Sequence, residues 1–318
     1  MTSIKKIGGE FALIDLIARK PKDKNIVTGI GDDTAVLNYD KKSYLLWTVD
    51  MQVEGDHFNR RWSTPEQIGK KAMEINVSDI AAMGGLPKYA LVSISLPENT
   101  QAEFVGKMYK GMREVCKKYD FEIVGGNTTH GKNMVIDISI IGFVEKERLR
   151  LRSHAKIGDL ICVTGDLGKS TAGLETLKAG LKGNVKSHLE PKCRLNEARE
   201  IAKHANAMID VSDGLASEVR HICEMSKKGA VLLKEKIPLS ENTKKLARNL
   251  GKNPYDFALH GGEDFELVFT IPKNKLSRIK TKCPITTVGR ILDKKQGIKL
   301  MDKGKEIALG RGYDHFKT

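Results

Sequence analysis

The chain has 318 residues, of which 40% are hydrophobic and 30% charged, and a formal charge of +14. That length suggests two domains, the apolar fraction is enough for real cores, and the mixed sign of the charges argues against global disorder. No apolar run approaches the roughly 20 residues of a membrane helix, and the start Met1-Thr2-Ser3-Ile4-Lys5-Lys6 carries no secretion signal, so the expected location is the cytoplasm, with no membrane partner. The lysines are dispersed rather than gathered in a basic block with interleaved aromatics, so the charge reads as a solvated surface and no nucleic-acid partner is expected. Five cysteines, none in a Cys-x-x-Cys pair, argue against a disulfide framework or a structural zinc site.

In chain order, a helix is expected after Gly8-Gly9, carrying Phe11, Leu13, Ile14, Leu16 and Ile17, followed by a turn at Gly31-Asp32-Asp33. Tyr44 to Val49 reads as a strand ending at Asp50. Thr64-Pro65-Glu66-Gln67 is a capping box with proline in the first turn, opening a helix to about Met83 that stops at Gly84-Gly85. Leu91 to Leu96 alternates as a strand and Ala102 to Tyr119 as an amphipathic helix. Strand Phe121–Val124, loop Gly125–Thr129 and strand Met134–Val144 follow. The charged stretch Glu145–Arg152 suggests a boundary, giving domains 1–148 and 149–318. The second half reads as strand Leu160–Thr164, turn Gly165–Gly168 and a helix. Then come helix Cys193–Ala205, strand Ala207–Ile209, a helix from Asp213, strands Ala230–Leu233 and Phe265–Thr270, and a closing strand pair near Ile285–Leu300. The expected fold class is α/β and α+β in two domains.

Acids collect where a core or tight turn would exclude them: Asp32-Asp33, Asp50, Asp79, and Asp210 with Asp213. Clustered carboxylates repel unless a hard cation neutralises them, and Mg²⁺ bridges a few carboxylates to substrate phosphates. Each acid also has a plainer role open to it, Asp32 as a turn residue and Asp213 or Ser212 as a helix cap. Asp79 lies three residues after Asn76 inside an apolar helix, which makes a purely solvated role harder to assign. Gly168-Lys169-Ser170-Thr171 is no Walker loop, because the position five residues before its Gly-Lys pair is Val163. Gly261-Gly262-Glu263-Asp264 and Gly125-Gly126-Asn127 read as turns that bring backbone close to a ligand, with a plain hairpin or loop turn as the commoner alternative.

In order and flanks, five segments resemble the thiamine-monophosphate kinase family. They are Gly29–Leu37, Thr48–Phe58, Lys71–Gly84 with its Asn76-Val77-Ser78-Asp79-Ile80 run, Asp210–Leu215, and Gly261–Leu267. The ending Gly312-Tyr313-Asp314-His315-Phe316 is also similar. The resemblance implies the fold of aminoimidazole ribonucleotide synthetase: an N-terminal sheet domain that forms a homodimer and a C-terminal α+β domain. It implies ATP as co-substrate, several Mg²⁺ ions, and thiamine monophosphate as acceptor, converted to the diphosphate by direct in-line transfer. It further implies Asp33, Thr48, Asp50, Asp79, Asp210 and Asp213 as metal ligands. Gly126, Asn127, Arg152 and Ser212 fall to ATP, and His57, Glu263 and Tyr313 to the thiamine phosphate. The catalytic set is Asp33, Asp50, Asp79, Asp210 and Arg152. The family's Gly-Gly-Asp reads Gly125-Gly126-Asn127 here, so one expected carboxylate is an amide. Another ATP-dependent member of the same fold, or a non-catalytic nucleotide or nucleic-acid binder, are the competing expectations.

Overall fold

The computed structural model describes residues 3–19, 21–310 and 312–313. Asp314, His315 and Phe316 of the tail motif, and the side chain of Phe11, lie outside them. The first half runs α1 (Ile4–Ile7), α2 (Glu10–Ile17), β1 (Ile26–Thr28), β2 (Ala35–Asn38), β3 (Ser43–Val53), α3 (Pro65–Ala82), β4 (Leu86–Leu96), α4 (Ala102–Tyr119), β5 (Glu122–His130) and β6 (Val135–Glu145). The second runs β7 (Leu160–Thr164), α5 (Lys169–Lys178), α6 (Lys186–Leu189), α7 (Leu195–Ile201), β8 (Ala207–Asp210), α8 (Leu215–Ser226) and β9 (Gly229–Leu233). It ends with α9 (Glu241–Asn249), α10 (Pro254–His260), β10 (Leu267–Ile271), β11 (Ile285–Leu292), β12 (Ile298–Asp302) and β13 (Lys305–Ile307). Among the described residues the strands make a six-stranded sheet, β1-β2-β3-β6-β4-β5, and a seven-stranded one, β13-β12-β9-β11-β7-β10-β8.

Helix α3 lies between the two sheets and is buried nearly all round, as expected of a helix without a solvent face. Its start is the predicted capping box, with Thr64 accepting from the Gln67 amide and Gln67 reaching back to Thr64. Met73 and Ile80 of α3 join Ile138 and Ile140 of β6, Ile201 of α7, and Met208 and Phe269 of the second sheet in one hydrophobic cluster. One side of α3 is polar, and each of its groups reaches the second half of the chain. Gln67 donates to Glu190 at 3.0 Å, Lys71 to Glu263 at 2.8 Å, and Ser78 to Asp210, while Glu74 accepts from the Cys193 amide at 2.9 Å. The spacing of four, three and four residues puts these side chains on one face.

Two expectations change. Gly125–Thr129 is not a loop but part of β5, paired in parallel with β4 (Leu91 opposite Gly125, Ser93 opposite Asn127). A Cβ at Gly126 would stand 1.9 Å from the Val92 carbonyl oxygen, so here glycine permits close strand pairing rather than a turn. The closing strands β11 and β12 do not pair with each other, since β9 sits between them. The short strands β1 and β2 carried too little pattern to be read in advance.

Alternation along β3 buries Leu46, Thr48 and Gln52 toward α3 and leaves Trp47, Val49 and Met51 50%, 60% and 55% exposed on the other side. Tyr89 and Leu91 continue this open apolar face across the sheet. All five cysteines are free and buried. No helix among the described residues is long and apolar enough to cross a membrane.

Candidate active site

A cavity of about 680 Å³ opens between the two halves, within the size range of small-molecule sites. Asp33, Thr48, Asp50, Asp79, Arg152, Asp210, Ser212, Asp213, His57, Glu263 and Tyr313 all line it. These come from the turn before β2, the inward face of β3, the loop after β3, the last turn of α3, the link between the sheets, the end of β8 and the loop after it, the loop before β10 and the segment after β13. Gly126 and Asn127 are not among the lining residues. They lie on edge strand β5, where Asn127 shares a cross-sheet row with Ser93, Asp137 and Met51 on the open face.

Carboxylate oxygens of Asp33, Asp79 and Asp210 all fall within 4.8 Å of one another. Burial pushes Asp79 well above the usual carboxylate range, and Asp50, Asp210 and Asp33 add to the effect. Burial likewise raises Asp210 to about 8, with Asp33 contributing, and Asp50 to about 6, with Asp137 and Asp33 contributing. Thr48 donates to Asp79 at 2.6 Å, and Ser78 to Asp210. Arg152 Nη2 donates to Asp33 Oδ1 at 2.6 Å, and its backbone amide to Asp32 Oδ2 at 3.2 Å. The other Asp33 oxygen, Oδ2, is buried without a hydrogen-bond partner among the described residues. A carboxylate oxygen left so, beside two more acids, fits a hard divalent cation, which prefers oxygen ligands.

The loop Gly261–Phe265 is pinned to the loop after β8: the Glu263 amide donates to Ser212 O at 2.7 Å and the Phe265 amide to Val211 O at 2.9 Å. A Cβ at Gly262 would meet Ser212 O at 2.2 Å, so glycine there permits close packing of this loop on the one after β8. Glu263 has φ +65, a backbone region costly for residues other than glycine and found mainly where surrounding structure over-determines it. Burial works to raise the Glu263 carboxyl, but the Lys71 ammonium and His188 together outweigh it and hold the acid at about 2. Lys71 also donates to the His57 carbonyl at 2.8 Å, and His57 Nδ1 accepts from the Val53 amide at 3.2 Å.

Sequence reasoning missed four groups here. Lys71 and His188 pair with Glu263, Glu218 accepts from the Asp213 amide at 2.8 Å, and Gln52 lines the cavity. Only Lys71 left a signal, as one member of the polar stripe on an otherwise apolar α3. His188 contacts both Ser170 and Glu263 through the same ring nitrogen, Nδ1. The three therefore do not form a nucleophilic relay, which needs the two ring nitrogens to face different partners.

The family model for the N-terminal domain of AIR synthase related proteins matches residues 31–144. A thiamine-monophosphate kinase of Aquifex aeolicus (strain VF5) is 39% identical, with 97% of this chain and 98% of that protein covered. The Bacillus subtilis (strain 168) protein of the same name is 36% identical, over 97% and 99%. A solved structure described as AaThiL complexed with AMPPCP and TMP superposes with a TM-score of 0.88 at 38% identity, covering 99% of each chain. The hydrogenase maturation protein HypE in complex with ATP shares the fold, with a TM-score of 0.73 at 17% identity. At such identity and coverage, the chain belongs to the thiamine-monophosphate kinase family.

Proposed function

We propose that this chain transfers the γ-phosphoryl group of ATP to thiamine monophosphate, giving ADP and thiamine diphosphate. The observation that carries the reading is the gathering of Asp33, Asp79 and Asp210 beside Arg152 in one cavity between the sheets. Relatives named for this activity over the whole chain length, and the AMPPCP and TMP in a similar structure, support it.

In this reading Asp33, Asp50, Asp79, Asp210 and Asp213, with Thr48, hold Mg²⁺. When bound, Mg²⁺ supplies charge neutralisation and alignment of the phosphates. The chain's own residues do the rest. Arg152 is fixed by Asp33 and Asp32, so its guanidinium meets phosphate oxygens without reorganising. The acceptor is itself a phosphate with a second pKa of about 6, so its attacking oxygen is ionised near neutral pH and no strong general base is needed. Positioning and electrostatics then carry the transfer. Ser212 serves ATP, and His57, Glu263 and Tyr313 serve the thiamine phosphate. The domain division falls near residue 148, within the link between β6 and β7.

The homodimer reading rests on the open face of the first sheet. An apolar face of this breadth on a sheet otherwise covered by helices is suited to a second copy. Gly126 and Asn127 belong to that interface, and their role toward ATP depends on the dimer. The cytoplasm is the proposed compartment, consistent with five unpaired thiols.

Purified protein incubated with ATP, Mg²⁺ and thiamine monophosphate tests the reading by product identification. Thiamine diphosphate and ADP in equal amounts are expected. Turnover of thiamine but not of its monophosphate would make it a different kinase.

A further inference from the structure

Gln52 is 1% exposed, yet neither its side-chain oxygen nor its nitrogen has a hydrogen-bond partner among the described residues. It lines the cavity. A buried amide with both ends unmet is rare in folded proteins, because each unmet group carries its full desolvation cost. The indole Nε1 of Trp62, another lining residue, is also buried and unmet, and Phe58 and Ile75 add apolar wall.

The position of Gln52 narrows what it meets. It follows Asp50 by two residues on the same face of β3, roughly 7 Å further along the strand, and the next residue, Val53, bonds His57. It therefore lies between the acids assigned to Mg²⁺ and the residues assigned to the thiamine phosphate.

We propose that the Gln52 carboxamide reads the edge of a 4-aminopyrimidine ring, pairing its oxygen with the ring's amino group and its nitrogen with the adjacent ring nitrogen. A carboxamide presents one acceptor and one donor side by side, which is how glutamine pairs with the amino group and a neighbouring ring nitrogen of adenine. Both proposed substrates carry such an edge, thiamine in its pyrimidine and ATP in its purine. The inference rests on the proposed reaction, and the placement beside His57 favours the thiamine ring.

The test compares wild type with Gln52→Met, which is near-isosteric and apolar. One arm measures KM for thiamine monophosphate and for its analogue lacking the 4′-amino group. The other measures KM for ATP and for its analogue with hydrogen in place of the 6-amino group. Wild-type turnover of thiamine monophosphate first establishes the reaction independently. The expected result is a KM for thiamine monophosphate raised about 10- to 100-fold in Gln52→Met, with the variant no longer preferring the amino-bearing substrate. The same loss confined to the ATP arm also upholds the edge-reading role and assigns it to the purine. Unchanged preference in both arms overturns the proposal and leaves Gln52 a core residue. Gln52→Glu keeps the acceptor and loses the donor, so an intermediate loss is expected there, and it repeats the test should the methionine variant fail to fold.

Discussion

Lys71 Nζ stands 2.7 Å from Glu263 Oε1, joining residues 192 positions apart across the two halves of the chain. The lysine is only 3% exposed, and it also holds the backbone of His57. One ammonium thus fixes two residues assigned to the thiamine phosphate. Breaking a buried pair on one side leaves the other charge uncompensated, at a cost of about 3–5 kcal/mol. Lys71→Met is expected to lose about that much in urea denaturation, and Lys71→Met/Glu263→Met to recover most of it. A single variant within about 1 kcal/mol of wild type would show that the pair is not what fixes the loop.

Asp79 is crowded by Asp50, Asp210 and Asp33, and each acid makes the metal-free fold harder to hold. Asp79→Asn removes one charge from the cluster while keeping an oxygen to accept from Thr48. The metal-free variant is expected to melt at or above the wild-type temperature. Turnover at limiting Mg²⁺ is expected to fall about 100-fold or more. A melting curve measures the first and product formation at limiting Mg²⁺ the second, while calorimetric titration with AMPPCP and Mg²⁺ reports nucleotide binding. Unchanged turnover and nucleotide binding would remove Asp79 from the metal site.

Those acids were legible in the sequence because carboxylates in apolar, glycine-rich segments break a local rule, and a broken local rule is visible one segment at a time. Helix α3 was legible for the same reason, since Thr64, Pro65 and Gln67 carry its start within four positions. His188 and Gln52 were not, and Lys71 showed only as one member of a polar stripe. Lysine inside a helix is ordinary, and only the tertiary fold reveals that Lys71 faces Glu263 rather than water. Gln52 continues a strand pattern without interruption, and its unmet amide exists only once Asp50 and Trp62 surround the same cavity. Gly125-Gly126-Asn127 was misread as a loop because two glycines suit a turn locally, whereas pairing with β4 decides their conformation.

Val49 and Met51 project from the open face of the first sheet, 60% and 55% exposed. If a second copy covers that face, Val49→Lys places a charge in an apolar interface. The variant is then expected to sediment as a monomer under conditions where wild type is a dimer, with its fold intact by circular dichroism. A wild type that is monomeric at all concentrations would refute the dimer.

Asn127 lies on the same face, in the cross-sheet row that also holds Asp137, with Ser93 between them. Restoring the family's acid with Asn127→Asp adds an oxygen ligand with charge. Activity is expected to persist, with the Mg²⁺ concentration for half-maximal turnover equal to or below that of wild type. Loss of all turnover would show that this chain depends on the amide.

Asp264 offers a pH test away from the acids assigned to Mg²⁺. It is 2% exposed and accepts from the Ser170 amide at 3.0 Å and from the Gly168 amide. Burial raises its carboxyl from 3.8 to about 7, partly offset by Lys169 and those amides. Between these two values the unfolded chain has released a proton that the folded chain keeps, so the folded state binds more protons and stability falls as pH rises. The contribution is complete below about 3.8 and is gone once pH has passed through about 7. Asp264→Asn has no proton to lose, so subtracting its unfolding free energy from that of wild type isolates this group. The difference is expected to decline by up to about 1.4 kcal/mol per pH unit over that interval and to level off above it. A difference that stays level from pH 4 to pH 8 would mean that Asp264 is ionised throughout, and that Lys169 and the two amides outweigh its burial.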